Sequence, residues 1–173
     1  MMNSFARKPP RWQDDNSLYF LTFCTFHRQK LLHKLEIPEF LIEELKYYSK
    51  KLRNISAYTI MPEHIHLLVE TDTVQSMSAF LRDFKKYTSR EIKKYAIDEH
   101  IWQQGTMDHC IRMSLQNEDF ENHIHYIFYN SWKHLGVKPK DFPYHNFLET
   151  VEKGWIEDDF FDFDAPKGFE KYE

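Results

Sequence analysis

The chain lacks any run approaching the roughly 18 consecutive apolar residues that a membrane-spanning helix requires. Its opening, MMNSFARKPPRW, lacks the apolar stretch of a signal peptide. A soluble, cytoplasmic protein is the expectation. Cysteine is scarce: Cys24 and Cys110 stand alone without CxxC spacing, which argues against a disulfide framework or a cysteine zinc site and leaves buried free thiols as the expectation. Internal repeats and low-complexity tracts are missing as well. So is an excess of basic charge, since the formal net charge is −4, the wrong sign for a protein that neutralises phosphates. That average hides an asymmetry. Residues 141–173 hold 10 acidic and 3 basic side chains, which leaves 20 Lys and Arg against 17 Asp and Glu in residues 1–140. The body is therefore mildly basic and the tail acidic, with Phe160, Phe161 and Phe163 among the acids. Such a tail can fold back over a basic surface or simply stay solvated.

What is present suffices for one hydrophobic core: 173 residues, 42% of them hydrophobic. Residues 1–17 read as a basic, extended N-terminal arm, residues 18–137 as the folded body, and residues 138–173 as an acidic C-terminal extension. The boundary is drawn where Gly136, Pro139 and Pro143 interrupt the pattern. The run Leu18 to Phe26, LYFLTFCTF, is too apolar for a half-exposed strand and reads as a central one buried on both faces. Pro38 opens a helix that ends near Lys51, with Phe40, Leu41, Leu45 and Tyr48 at helical spacing. ISAYTIM and HIHLLVE are two strands joined tightly through Pro62-Glu63. Ser76 to about Ala96 is a second helix, with Met77, Phe80, Leu81, Phe84, Tyr87 and Ile92 inward. HCIRM suits a fourth strand, and Gln116 to Ser131 a third helix opened by Asn117, Glu118 and Asp119. The order βαββαβα predicts an α+β, ferredoxin-like βαββαβ sandwich followed by a further C-terminal helix, a framework that does not by itself name a function.

The chemistry is concentrated in Pro62-Glu63-His64-Ile65-His66-Leu67-Leu68. A strand alternates faces with period two, so His64 and His66 project side by side and their imidazoles converge. Such a pair supplies part of the shell of a divalent ion, or is merely two half-exposed histidines on a sheet face. On the third helix, Tyr126 and Asn130 are four residues apart and share a face. One helix can thus offer a hydroxyl nucleophile and a carbonyl ligand together, and an ion held by imidazoles, an amide oxygen, water and a phosphate oxygen suits Mg²⁺ or Mn²⁺. Taken alone, Tyr126 reads equally as a core residue, because Ile124, Ile127 and Phe128 around it are apolar.

The segment IMPEHIHLLVE resembles the MPxHxHLLV signature of the REP-associated tyrosine transposases, single-tyrosine HUH endonucleases related to insertion-sequence transposases. Ile101-Trp102-Gln103-Gln104 is similar to the family's LWQ-type motif, HYIFYNSWKHLGV to its YIxxNPVKxGxV helix, and FPYHNF to its WPYSS-like segment. The resemblance runs from about Leu18 to Phe147 in the family's order. It implies that His64 and His66 are metal ligands, that Tyr126 is the nucleophile, and that Asn130 completes the metal site. It also implies cleavage of single-stranded or hairpin, palindromic repeat-like DNA through a 5′-phosphotyrosine, by a monomer or homodimer that needs no membrane. Ser131 departs from the family's proline, and Glu63 stands where asparagine is common.

For DNA contacts, Arg82, Lys85, Lys86, Arg90 and Lys93 form a basic stripe on the second helix, which is a phosphate-contacting face or an ordinary solvated one. Arg7, Lys8 and Arg11 of the arm are further candidates, and Trp102 is a candidate exposed platform for an unpaired base. Tyr87 and Tyr95 are rival nucleophiles, and His123, one turn before Tyr126, a candidate proton-transfer group. Two other function classes fit the same scaffold. A nucleic-acid-binding module without catalysis would form no covalent adduct. A metallohydrolase using His64, His66 and a third ligand such as His109 or Glu63 would attack with water and tolerate loss of Tyr126.

Overall fold

A computed structural model describes residues 17–96, 99–111 and 116–159. Strands β1 (Ser17–Cys24), β2 (Asn54–Ile60), β3 (His64–Thr71) and β4 (Met107–Ile111) alternate with helices α1 (Ile37–Ser49), α2 (Val74–Ile92) and α3 (Gln116–Leu135), and a short α4 (Phe147–Glu152) follows. The sheet order is β2-β3-β1-β4, and every neighbouring pair is antiparallel. This is the α+β, ferredoxin-like arrangement that the element order predicts. Among the described residues the fourth strand begins two residues before HCIRM, at Met107, and α3 runs one turn beyond Ser131.

Period-two alternation along the strands divides the core in two. Tyr19, Leu21 and Phe23 of β1, with Ile65, Leu67 and Val69 of β3, face α1 and α2. Leu68 of β3 and Ala57 of β2 face the other way, against Ile124, Ile127 and Phe128 of α3 and Phe147 of α4. The sheet is thus covered on both faces, which is why its two central strands, β1 and β3, are almost continuously apolar. A register shift in β2 between Ile55 and Ala57 turns Ala57 and Thr59 towards α3 and leaves Tyr58 and Ile60 on the other side.

Local chemistry sets the helix ends. Pro38 occupies the first turn of α1, where its missing N–H costs nothing. Thr73 caps α2, its hydroxyl accepting from the Ser76 amide at 3.1 Å.

Beyond the boundary expected near residue 137, the chain returns to the sheet. Residues 139–156 pack on the α3 side of the sheet through Phe147 and Ile156, and Ile60 donates its amide to Tyr144 O at 2.8 Å. Asn146 is buried between this segment and β2. Its Oδ1 accepts from Tyr58 N at 2.8 Å and its Nδ2 donates to Ser56 O at 3.1 Å. Replacing Asn146 by Ala leaves a buried amide and a buried carbonyl unmatched. It is expected to lower unfolding stability by about 2–3 kcal/mol, measurable by urea denaturation, and a loss below about 0.5 kcal/mol would contradict this role. Residues 160–173, with the acidic and aromatic tail, and residues 1–16, with Arg7, Lys8 and Arg11, lie outside the described residues.

Three expectations need correction. Trp102 is not an exposed platform. It is 8% exposed, wedged against Phe23 and Phe84, and its indole N–H donates to Thr88 Oγ1 at 2.9 Å. A wide, apolar ring at the mouth between α2 and the sheet is worth more buried than stacked in water, and Gln103 N–H to Cys24 O at 2.8 Å ties the segment along the end of β1. Tyr87, expected inward, is 37% exposed. Both cysteines are free, but each is half-buried rather than buried.

Candidate active site

His64 and His66 share one face of β3, as their spacing predicts; that face is the α3 side, and both are buried. Their ring centroids lie 4.7 Å apart. Cross-strand pairing flanks His66 with Thr22 of β1 and Thr59 of β2, and places His64 opposite Cys24. His66 Nδ1 lies 2.8 Å from Thr22 Oγ1, and His64 Nδ1 lies 3.3 Å from Glu63 Oε1. Each ring therefore has its Nδ1 engaged by a neighbour, and Nε2 is the nitrogen that remains to present a lone pair. This is how metal-ligating histidines are held in one tautomer and orientation. Glu63, whose role the sequence leaves open, is such an orienting carboxylate.

Burial holds the His66 ring well below the usual imidazole pKa, and the neighbouring His64 pushes it the same way. His64 is lowered by burial too, although the Glu63 carboxylate opposes the shift. Both imidazoles are accordingly neutral near pH 7, the form that binds a cation.

Helix α3 crosses this face. Tyr126 is half-buried with its ring centroid 5.3 Å from that of His66, at an interplanar angle of 68°. Phe20 of β1 fixes the spacing: its ring is stacked on His66 at 5.4 Å and meets Tyr126 edge-on at 5.8 Å. One turn along α3, Asn130 is buried against His66. Its Nδ2 donates to the Tyr126 carbonyl at 2.6 Å, and since a carbonyl can only accept, the assignment of the amide is fixed. Asn130 Oδ1 is then a buried acceptor that meets no donor in good hydrogen-bond geometry, and the group it faces is the His66 ring, whose pKa the Asn130 side chain raises. Leaving such an oxygen unmatched costs about 1–3 kcal/mol. An orphaned carbonyl oxygen beside two neutral imidazoles is the donor set a divalent cation takes, so the residues present fit the metal that the sequence implies.

Arg28 and His134 escaped the sequence reading. The Arg28 guanidinium lowers the basicity of both His64 and His66, and the His134 ring lies 6.2 Å from that of His64. Arg28 sits in a tight turn after β1, where His27 and Arg28 both adopt positive φ, 52° and 54°. That conformation disfavours non-glycine residues by about 1–2 kcal/mol each. Thr25 sustains it: its amide donates to Glu63 O at 2.9 Å, and its hydroxyl lies 2.8 Å from Gln29 O and 3.0 Å from Glu63 O. No periodicity marks a cation delivered by a turn.

The basic stripe is positioned differently. α2 covers the face opposite the histidines, so Arg82, Lys86, Arg90 and Lys93 do not line the site. Arg82 and Arg90 pair with their sequence neighbours Asp83 and Glu91 at 2.8 and 3.2 Å. Lys85 is the exception. Half-buried, it donates to Gly105 O and influences the Cys24 thiol, which neighbours His64 across the strands. The rival nucleophiles Tyr87 and Tyr95 are exposed and belong to the α2 side as well. His109 cannot complete the His64–His66 pair, because β1 separates β4 from β3 and two strand spacings amount to about 10 Å.

With this geometry in hand, comparison with known proteins is informative. A family model described as "Transposase IS200 like" matches residues 14–127, a span that ends just after Tyr126. A Haemophilus influenzae chain that bears the name REP-associated tyrosine transposase is 30% identical over 147 residues, covering 78% of this chain and 82% of that one. The REP-associated tyrosine transposase of Escherichia coli K12 is 32% identical over 104 residues, 58% of each. Among solved structures, a REP-associated tyrosine transposase bound to a REP hairpin superposes with a TM-score of 0.73 at 23% identity, covering 92% of both chains, a likeness of fold. The family match covers well over half of the sequence. The chain belongs to the IS200-like transposase family, and is a transposase-like DNA endonuclease.

Proposed function

We propose that this protein cleaves and rejoins single-stranded or hairpin DNA through a covalent bond between Tyr126 and a 5′-phosphate, with His64, His66 and Asn130 holding Mg²⁺ or Mn²⁺. The single observation that carries this reading is the orphaned Asn130 Oδ1, buried next to His66 and one helical turn from the half-buried Tyr126. The REP hairpin bound by the structural neighbour supports a folded, palindromic substrate.

In the proposed reaction Tyr126 Oη attacks a backbone phosphorus. The Oη–P bond forms as the bond from phosphorus to the 3′-oxygen breaks; Oη loses its proton and the leaving 3′-oxygen gains one. A phenol has an ordinary pKa near 10 and needs help to attack at neutral pH. A divalent ion held by His64, His66 and Asn130 would supply that help as a Lewis acid. The chain's own part is positional. Phe20 holds the Tyr126 ring against the His66 ring, the Asn130 side chain back-bonds to the Tyr126 carbonyl, and Thr22 and Glu63 orient the two imidazoles. Rejoining is the same exchange run backwards with an incoming 3′-OH. It conserves the phosphodiester bond energy and requires no nucleotide cofactor.

Arg28 is the cation best situated to neutralise the scissile phosphate, because its charge already reaches both histidines. Arg28→Ala is expected to reduce cleavage by about 10- to 100-fold, the worth of one charge-assisted hydrogen bond, while metal affinity does not fall. Single-turnover assays check this, and an unchanged rate would remove Arg28 from the site.

The polarity of the intermediate tests the reading as a whole. A hairpin substrate labelled on the 3′ side of the cut is expected to leave its label on the protein, while the released fragment carries a 3′-OH that a polymerase extends. Label retained from the 5′ side, or free 5′-phosphate with no protein adduct, would overturn it in favour of the opposite polarity or of water as the nucleophile.

A further inference from the structure

Outside the His64–His66 face, a second group of potential ligands spans the sheet edge. His109 of β4 and Asp119 and His123 of α3 bring their donor atoms within 4.8 Å of one another, the one such group of three among the described residues. We propose that these three residues bind a second divalent transition metal, of the zinc class, that clasps β4 to α3 one turn before Tyr126. The site is independent of the proposed reaction.

The sequence builds it from two elements. Asp119 and His123 are four apart and share a face of the first turns of α3, while His109 is delivered by the edge strand. His123 Nδ1 lies 2.7 Å from Asp119 O and 3.2 Å from Asp119 Oδ1, so the backbone carbonyl and one carboxylate oxygen together orient this ring and leave Nε2 for a ligand's role. His109 Nε2 lies 3.8 Å from Asp119 Oδ2, and the two imidazoles stack at 5.3 Å and 14°. Donors about 2.0–2.1 Å from a tetrahedral ion stand about 3.3 Å apart, so side-chain rotation of His109, which is mostly exposed, closes the set without moving backbone. Two imidazoles and one carboxylate leave a fourth position for water. They match Zn²⁺, Co²⁺ or Mn²⁺ rather than Ca²⁺, which asks for six or more oxygens.

The placement gives the clasp a consequence. The His123 ring packs on Phe20 at 4.9 Å, and Phe20 in turn packs on His66 and Tyr126. An ion here would fix the start of the nucleophile's helix against β4, whose Ile111 lies in the same apolar cluster as Ile124, Ile127 and Phe128 of α3.

Co²⁺ is the probe, since its visible absorption reports imidazole and carboxylate coordination. Titration of the full chain is expected to give two ions per chain. His64→Ala/His66→Ala should retain one, and His109→Ala/Asp119→Asn should lose the other, with affinity at that site weakened more than about tenfold. Zn²⁺ should raise the melting temperature of the His64→Ala/His66→Ala protein, a shift that His109→Ala abolishes. A wild-type stoichiometry of one that His109→Ala/Asp119→Asn leaves unchanged would overturn the second site while sparing the first. Conversely, one ion lost only in His109→Ala/Asp119→Asn would uphold the clasp and count against the His64–His66 pair.

Discussion

Tyr126→Phe is expected to abolish the covalent protein–DNA adduct and to reduce strand cleavage by at least about 10³-fold, the scale on which loss of a nucleophile acts. The substitution removes one oxygen. The ring keeps its contacts with Phe20 and His66, so folding should be preserved to within about 1 kcal/mol and hairpin DNA should still bind. The contrast between intact binding and absent chemistry separates this enzyme class from the two others that fit the scaffold. A non-catalytic binding module shows no difference between the two proteins because neither reacts. A water-using hydrolase cleaves in both. Measuring adduct, cleavage and binding on the same preparations distinguishes all three, and cleavage within about tenfold of wild type in Tyr126→Phe would exclude tyrosine as the nucleophile.

His66→Ala carries the other large effect. This ring is the centre of the site: Thr22 meets its Nδ1, Phe20 stacks on it, His64 stands 4.7 Å away, and Tyr126 packs on it edge-on. In the proposed reaction its removal takes away a metal ligand and the surface against which Tyr126 is held. Metal-supported cleavage is expected to fall at least about 100-fold, given that loss of even an orienting partner costs 10- to 100-fold. Stability should fall by about 1–3 kcal/mol as well, because a buried hydroxyl, Thr22 Oγ1, loses its partner. His66→Leu refills part of the space without offering a ligand atom and is the control that divides the two effects. If it restores stability without restoring Mn²⁺-supported cleavage, the ligand role stands; if it restores both, the histidine is structural.

Much of the fold was legible because the strands and helices carry clean periodicities. HIHLLVE alternates between the two cores, and the α2 pattern from Met77 through Ile92 reads inward except at Tyr87. The same alternation put His64 and His66 on one face, and the spacing of four put Tyr126 and Asn130 on another, so the central constellation follows from two periods. Which face of the sheet α3 covers does not follow from periodicity, and here the family resemblance supplied the pairing.

What was misread turns on long-range packing. Trp102 sits in a polar loop, and nothing local distinguishes a stacking platform from a plug; Thr88, fourteen residues away, is what receives its N–H. Charge alone does not say which side of the sheet the α2 stripe occupies, and packing places it across the sheet from the histidines. Arg28 was invisible for the opposite reason. A two-residue left-handed turn supported by Thr25 and the Glu63 carbonyl delivers it, and that support spans 38 residues of sequence. The segment from Pro139 to Ile156 reads as a C-terminal extension because its prolines break the pattern, and only the packing of Asn146 and Phe147 shows how it joins the core. Each error lies where a tertiary contact overrides a local signal.

The most direct test of the central claim is to trap the covalent intermediate on a labelled REP-type hairpin with Mn²⁺, denature, digest, and locate the modified residue by mass spectrometry. The account predicts a nucleotide joined through a 5′-phosphate to Tyr126, formed only with the metal present. An adduct on Tyr87, Tyr95 or any other residue, or cleavage that proceeds without an adduct, would contradict it.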